Sequence, residues 1–581
     1  MNDIKSFKVQ NYKSLKYTPD IPLKGLSLFI GENSSGKSNI LESLMLFKQT
    51  IENSDLNSPL VLNGNLIELG EFSDIIFNHE EKRNLVFSFN MEVKNTEINH
   101  KKNNCPLCNN SYESENKWFY KHLRKYHNNF FQNNESSIEN FQQFKSGRDT
   151  ELSFSYVYRG KPKTTKLKKV SITNVGFQNS IFLKEISLVN EIDNNKLLIK
   201  LLNGPKLSLS CDDIEIDTED NRLTPINFRN KMLDILENFL FKNDEIRRKN
   251  DDTIGSIFRF HPDGRYRISF NYNNEKSDKL YEHISENNIQ DELDNFLKGK
   301  QNLNEKTINF LLIIYNLVRK YDRKKFYLYD FLKNIFHVGP IREEPERIHF
   351  GSSGKPRELG DRGENLSNII IHDREYSRST DSIVDKTNKW LEKTGFNCSI
   401  DVRGIGRSDL HEIIVKEEDL QVNIRDVGFG LSQILPIIFQ TIKVESSKKH
   451  KKEKTSRFSF SRKNKAEEEL VMLEQPEVHL NPRIESELGD FFKEMVLNDL
   501  NLMIETHSEH MLSRIQRRVS EGKLDRNKVN VFFVNKKENI SEIEKLNIRE
   551  SGEFENWPSG FFQDDYEDSV EIFKNSIKQN R

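Results

Sequence analysis

The chain has 581 residues, about four times a typical domain length of roughly 150, so several cores fit within it. Its 88 Lys+Arg nearly cancel its 90 Asp+Glu, which excludes nucleic-acid attachment through a global basic field and confines any such contact to local patches. No apolar run approaches the ~20 residues of a membrane span, the opening MNDIKSFKVQNYKS carries no signal-peptide stretch, and 4 cysteines make no disulfide framework; a cytoplasmic protein away from membranes is expected. Ala466 is the only alanine beside 40 Phe, so helices have to be read from the spacing of Leu, Ile, Lys and Glu.

The first pattern is a strand over 4–9, a turn over 11–14, a strand over 26–30, a Gly-rich loop over 31–38 and helical spacing over 39–49. Strand alternation returns over 84–93 and 151–159, and the polar, Asn-rich stretch 95–150 reads as an insertion into one loop of a sheet. Short alternating strands over 171–217 suggest a β arm, and 227–250 and 278–336 have helical spacing too irregular for a long coiled coil. The last third returns to α/β alternation, with strands over 412–415, 470–473, 500–505 and 530–534 and helices over 432–443 and 483–497. Within it, residues 448–469 hold nine Lys and Arg without periodicity. They read as a mobile basic loop, either a solvated excursion or a contact to DNA or RNA phosphates that specifies no sequence.

Gly31-Glu32-Asn33-Ser34-Ser35-Gly36-Lys37-Ser38 fits G-x-x-x-x-G-K-S in full, after a strand and at the start of a helix. The glycines let backbone N–H groups close around phosphates, Lys37 reaches the β and γ phosphates, and Ser38 ligates Mg²⁺. Asn33, Ser35 and Asn39 belong to the same binding turn. Such a loop needs a carboxylate at the end of another strand to hold the metal, and LVMLEQPE supplies Glu474, followed by Gln475 and Glu477. A further apolar strand ends in ETHSEH, which places His507 at a strand C-terminus, where α/β ligand sites gather, within reach of a γ phosphate.

Cys105, Cys108, His122 and His127 follow C-x₂-C-x₁₃-H-x₄-H, one residue longer than a finger linker of about twelve. Two thiolates and two imidazoles one helical turn apart can close a tetrahedral Zn²⁺ site, which contributes on the order of 10 kcal/mol of apparent folding free energy to such an insert. The alternative is a chance Cys pair near two surface histidines. Lys117, Lys121, Arg124 and Lys125 make the finger's helix basic, yet one finger reads only about three base pairs, so DNA contact, protein docking and a purely structural role stay open.

Over both ends the chain resembles the ATP-binding-cassette type of ATPase found in the RecF, SMC and OLD-like group. The matching parts are FKVQNYKSLK, GENSSGKSNILESL, DVGFGLSQILPI, LVMLEQPEVHLNP and MIETHSEHMLSRI, covering residues 1–95 and 336–570. More narrowly it is similar to bacterial AAA/ABC-like ATPases marked by E-Q-P-E-x-H-L-x-P, by E-T-H-S-E-H, by VGPIREEPER and by a C-terminal W-P-x-G-F-F, here starting at Trp557. The fold this resemblance implies is α/β, a split ABC-ATPase head (1–95 and 336–581); the residue patterns between its halves, which the resemblance does not cover, add a zinc-finger-like module (96–150) and a β/helical arm (151–335). In that family two heads self-associate around two ATP molecules, each held between the phosphate loop of one and the signature segment of the other. The resemblance implies that Gly428-Phe429-Gly430-Leu431-Ser432-Gln433 is the signature; Gly428 or Ser432 stands in the serine position of the usual L-S-G-G-Q, with Ser432 preferred.

The wider family ends its Walker B strand in Asp-Glu, where this chain has Glu474-Gln475. A glutamine cannot accept a proton as a general base, although it can orient a water. Weak hydrolysis that a partner or nucleic acid accelerates is therefore expected, with Glu477 or His507 taking part. ATPases of this subgroup resemble those of bacterial anti-phage systems such as Septu and PARIS, in which a separate effector does the damage. No nuclease signature stands in the chain, so the expectation is an ATP-controlled switch with a nuclease effector in trans. The alternatives are a RecF-like DNA-repair clamp and an ATP-binding scaffold without significant hydrolysis.

Overall fold

The computed structural model describes residues 2–53, 60–93, 103–104, 111–112, 149–159, 164–175, 183–191, 194–201, 206–210, 258–260, 266–268, 322–351, 358–376, 382–406, 409–457 and 468–558, with isolated positions between 232 and 318. Two large sheets share the helix Lys37–Glu52 between them. The first is antiparallel, in the order Lys206–Ser210, Asn194–Leu201, Leu183–Glu191, Thr164–Val175, Asp149–Arg159, Leu85–Val93, Asn2–Tyr12, Leu15–Tyr17, with Ile21–Pro22 also on Asn2–Tyr12. The strands expected as a separate β arm pair one after another onto Asp149–Arg159 and so widen the sheet that the chain's first strand begins. Their alternation explains this: Val170, Ile172, Ile186, Leu188, Leu197, Ile199 and Leu209 are buried in the same core as Phe87 and Phe154.

The second sheet runs Ile335–Val338, Leu470–Glu474, Asn501–Glu505, Leu26–Gly31, Val529–Lys537, Ile540–Leu546, parallel except for the last pair. Its inner strands are nearly unbroken apolar runs because both faces are covered. Phe29, Met472, Met503 and Phe532 pack toward the helix Lys37–Glu52 and the antiparallel sheet. Leu28, Val471, Ile504 and Val531 pack toward the helices Leu366–Tyr376, Ile383–Lys393, Phe429–Arg457, Pro482–Leu497 and Glu509–Ser520. Phe47 anchors the shared helix, its ring 5.0 Å from those of Phe87 and Phe154 and 5.1 Å from that of Phe89. Burying one such side chain stabilises the fold by roughly 1.5–3 kcal/mol.

The helix Phe429–Arg457 runs through the first part of the basic segment expected as a loop. Lys and Glu are good helix formers and no Gly or Pro interrupts the run, so helix continues where apolar periodicity has stopped. Among the described residues, no helix is long and apolar enough to cross a membrane.

Candidate nucleotide site

The central strand Leu26–Gly31 ends in the loop that the motif marks. Gly31 has φ 146° and Gly36, the N-cap of the helix, has φ 101°; a Cβ on Gly31 would lie 2.0 Å from the Val534 carbonyl oxygen, so only glycine fits there. The helix begins with no side-chain cap and no acid in its first turn, which leaves its N–H groups and positive dipole end for an anion. Lys37 Nζ folds back over the loop and donates to the carbonyls of Gly31 at 3.1 Å and Glu32 at 2.7 Å. Burial lowers the Lys37 pKa, opposed by the charges of Glu505, Glu477 and Glu32.

Parallel pairing sets three strand ends side by side: Glu474 pairs with Glu505, and Glu505 with Phe29. Glu505, which the motif reading passes over, therefore stands between Glu474 and the phosphate loop. It is 2% exposed, and its Oε2 has no hydrogen-bond partner. Burial and then the charge of Glu474 push its pKa up to about 7, while the Ser38 hydroxyl and Lys37 pull the other way. Glu477 accepts the backbone N–H of His507 at 2.5 Å, and burial raises its pKa against that hydrogen bond. Burial and then the charge of Lys37 depress His507 to about 4, so its imidazole is neutral at pH 7.

Two further side chains hold the Glu474–Gln475 turn from behind. His337, on Ile335–Val338, has Nε2 2.9 Å from Glu474 Oε1 and Nδ1 3.0 Å from Asp361 Oδ1. Burial lowers its pKa, but the hydrogen bonds and charges of Asp361 and Glu474 more than reverse this, to about 9. Arg342 is 4% exposed and donates from Nη2 to the carbonyls of Glu474 at 2.6 Å and Gln475 at 3.1 Å. Its burial depresses the guanidinium to about 10, opposed by Glu477 and Glu474. Gln475 itself is left-handed, φ 44°, with its N–H on the Glu505 carbonyl at 2.8 Å. Arg342 lies in the VGPIREEPER run, the one sequence signal for it; nothing local marks His337.

Of the remaining expected residues, Asn33 is exposed, Ser35 is buried, and Asn39 Nδ2 donates to Ser14 Oγ at 2.8 Å. Gly428 is open to solvent, with nothing within 4 Å of a would-be Cβ. Ser432 is buried and donates to the Phe429 carbonyl at 2.8 Å, so its hydroxyl is engaged within its own helix. Phe429, 44% exposed, packs edge-on against His479 at 4.7 Å, and a Cβ on Gly430 would meet the His479 carbonyl at 2.9 Å. Residues 429–430, in the segment expected as the signature, thus rest on the turn that follows Gln475. Cys105, Cys108, His122 and His127 lie outside the described residues, as does the tail beyond Pro558.

Among the described residues no three His, Cys, Asp or Glu side chains by themselves form a metal cage. Mg²⁺ does not need one, because it is held by one or two carboxylates together with substrate phosphates and waters. Ser38 beside Glu505, with its orphaned buried oxygen, fits that requirement.

A family described as AAA ATPase domain matches residues 3–512, and one described as a protein of unknown function, DUF3696, matches residues 524–571. No curated protein matches the chain. Among solved structures it is similar to an Smc head domain with an extended coiled coil bound to the C-terminal domain of ScpA from Pyrococcus furiosus, at 12% identity over 99% of this chain and 100% of that chain, with a TM-score of 0.33. It is also similar to an Smc head domain with a coiled coil and joint from Pyrococcus yayanosii, at 12% identity over 94% and 97%, TM-score 0.33.

Proposed function

The chain belongs to the AAA ATPase domain family, which matches residues 3–512, and from that premise we propose that it is an ATP-controlled switch that hydrolyses slowly and governs a separate effector. The observation that carries the reading is the convergence on one lysine: the charges of Glu505, Glu477 and Glu32 act on Lys37, and burial with the charge of Lys37 keeps the nearby His507 neutral, at the uncapped helix start. A buried lysine among carboxylates, with backbone N–H groups beside it, is a receptor for a polyanion that arrives with a divalent cation.

When nucleotide binds, Lys37 exchanges the Gly31 and Glu32 carbonyls for the β and γ phosphates. Ser38 with Glu505 and Glu474 would hold Mg²⁺, which supplies neutralisation of the phosphate charge. Glu477, with its raised pKa, accepts the proton of the attacking water more readily than an exposed carboxylate does. Gln475 orients that water without taking its proton, and His507, neutral at pH 7, donates to the γ phosphate. The open Gly428–Phe429 corner suits the second head's nucleotide better than the engaged Ser432 does. The anti-phage setting and a nuclease effector rest on the EQPE, ETHSEH and WPxGFF runs.

For the insert, the proposal of a structural Zn²⁺ on Cys105, Cys108, His122 and His127 rests on their spacing in the sequence.

The test is nucleotide binding and phosphate release by the purified chain, with and without Mg²⁺, against Lys37→Ala. Loss of binding in the variant, with slow turnover in the native chain, is expected; binding that survives in Lys37→Ala refutes the site. ATP-dependent, salt-sensitive DNA binding by the chain alone would instead favour a DNA-repair clamp.

A further inference from the structure

The described part of the segment of unknown function at residues 524–571 is built into the candidate nucleotide site. Its strand Val529–Lys537 pairs along the whole phosphate-loop strand, from Val529 opposite Leu26 to Val534 opposite Gly31. The chain then turns at Glu538, φ 54°, into the antiparallel strand Ile540–Leu546. That hairpin delivers Ser541 to the back of the loop, 2% exposed, with its N–H on the Ser14 carbonyl at 2.9 Å. Its Oγ lies 2.5 Å from the Ser35 carbonyl oxygen and 2.6 Å from Ser14 Oγ. Packing is tight enough that a Cβ on Gly36 would come within 2.4 Å of Ser541 Oγ and 2.7 Å of Ser14 Oγ.

A hydroxyl carries one proton. With Ser541 donating to the Ser35 carbonyl, the Ser14 hydroxyl donates to Ser541 and in turn accepts from Asn39 Nδ2. The result is one directed chain, from Asn39 in the helix to the peptide at the loop's tightest point. In a planar trans peptide the carbonyl and the following N–H point in opposite directions, so a bond that holds the Ser35 carbonyl against the hairpin turns the Gly36 N–H away from it.

We propose that Ser541 is a positioning residue for the phosphate loop: it holds the Ser35–Gly36 peptide with the Gly36 N–H facing the nucleotide's phosphates, and the hairpin of residues 529–546 is thereby a working part of the ATPase head. The inference rests on the reading of Lys37 and its loop as a nucleotide site. It deepens that reading by assigning a role to a segment that has none.

The experiment uses the full chain, titrated with a fluorescent ATP analogue in Mg²⁺ and followed by steady-state kinetics. Ser541→Ala is expected to raise the nucleotide Kd and the KM about tenfold, the factor for one lost buried hydrogen bond, with kcat changed far less. Ser14→Ala combined with Ser541→Ala is expected to be no weaker than Ser541→Ala alone, because both break one chain; a merely structural serine would give additive losses. If Ser541→Ala does not fold, Ser541→Cys, whose thiol is larger and a weaker donor, reads the same Kd. Lys37→Ala is run alongside. If it abolishes binding while the Ser541 variant binds like the native chain, the inference is overturned and the site stands. If Lys37→Ala itself binds normally, the site reading fails and the inference with it.

Discussion

Replacing His337 by Gln removes a cation from between two carboxylates. In the native chain both ring nitrogens are engaged, Nδ1 by Asp361 and Nε2 by Glu474, and the imidazole titrates near 9 in place of 6.5. That rise, at about 1.36 kcal/mol per tenfold change in proton affinity, is worth about 3 kcal/mol of folding stability. It matches the roughly 3–5 kcal/mol that breaking a buried ion pair from one side usually costs. The pKa is raised on folding, so the contribution is fully present below the unfolded value of 6.5 and is lost as pH rises through about 9. Urea unfolding, followed by tryptophan fluorescence for native chain and His337→Gln at about pH 6 and about pH 10, should show a gap of about 3 kcal/mol that closes at the higher pH. An equal gap at both pH values would refute the argument, since it would mean that packing and not the charge accounts for the loss.

Three other outcomes are expected. Gly36→Ala must hold a Cβ at φ 101° and 2.4 Å from Ser541 Oγ; the left-handed penalty alone is about 1–2 kcal/mol, so nucleotide affinity should fall at least about tenfold in an ATP titration, and native affinity would contradict the loop geometry. Gln475→Glu adds a proton acceptor at the turn fixed by Arg342; phosphate release should rise by on the order of tenfold or more, and an unchanged rate would remove Gln475 from the hydrolytic position. Cys105→Ser with Cys108→Ser should lower bound zinc, by mass spectrometry, from about one per chain toward zero; unchanged metal content would dispose of the finger reading.

What the sequence makes legible is what stands at the end of a locally patterned element. Gly31 to Ser38, Glu474, Glu477 and His507 each stand at or after the end of a strand whose apolar run is visible, and the fold brings Glu477 and His507 to Lys37 and Glu474 beside Glu505. Glu505 sits in the same visible run, two residues before His507, and its place between Glu474 and the loop follows only from sheet order. His337 and Ser541 are harder still. One reaches Glu474 because Ile335–Val338 is the parallel neighbour of Leu470–Glu474, the other reaches Ser35 across most of the chain, and no periodicity encodes which strands become neighbours. The β strands over 171–217 show the same limit: their alternation is readable, but that they extend the first strand's sheet is set by a partner far away. The helix Phe429–Arg457 fails differently, since its second half carries charge where a helix normally declares itself by an apolar face.

The strand that carries the phosphate loop has both its sheet neighbours, Asn501–Glu505 and Val529–Lys537, near the other end of the chain. During synthesis, at ~5–20 residues per second, the loop leaves the ribosome about 25–100 seconds before the strands that complete its sheet. For that interval a nascent chain holds the whole G-x-x-x-x-G-K-S motif and no nucleotide site. A product cut short anywhere before Val529–Lys537 would have the motif without the means to bind or hydrolyse. Pairing across so great a sequence separation also makes late, slow docking of the last strands the step on which assembly waits. Nucleotide binding is thus a report that translation has passed Val529–Lys537.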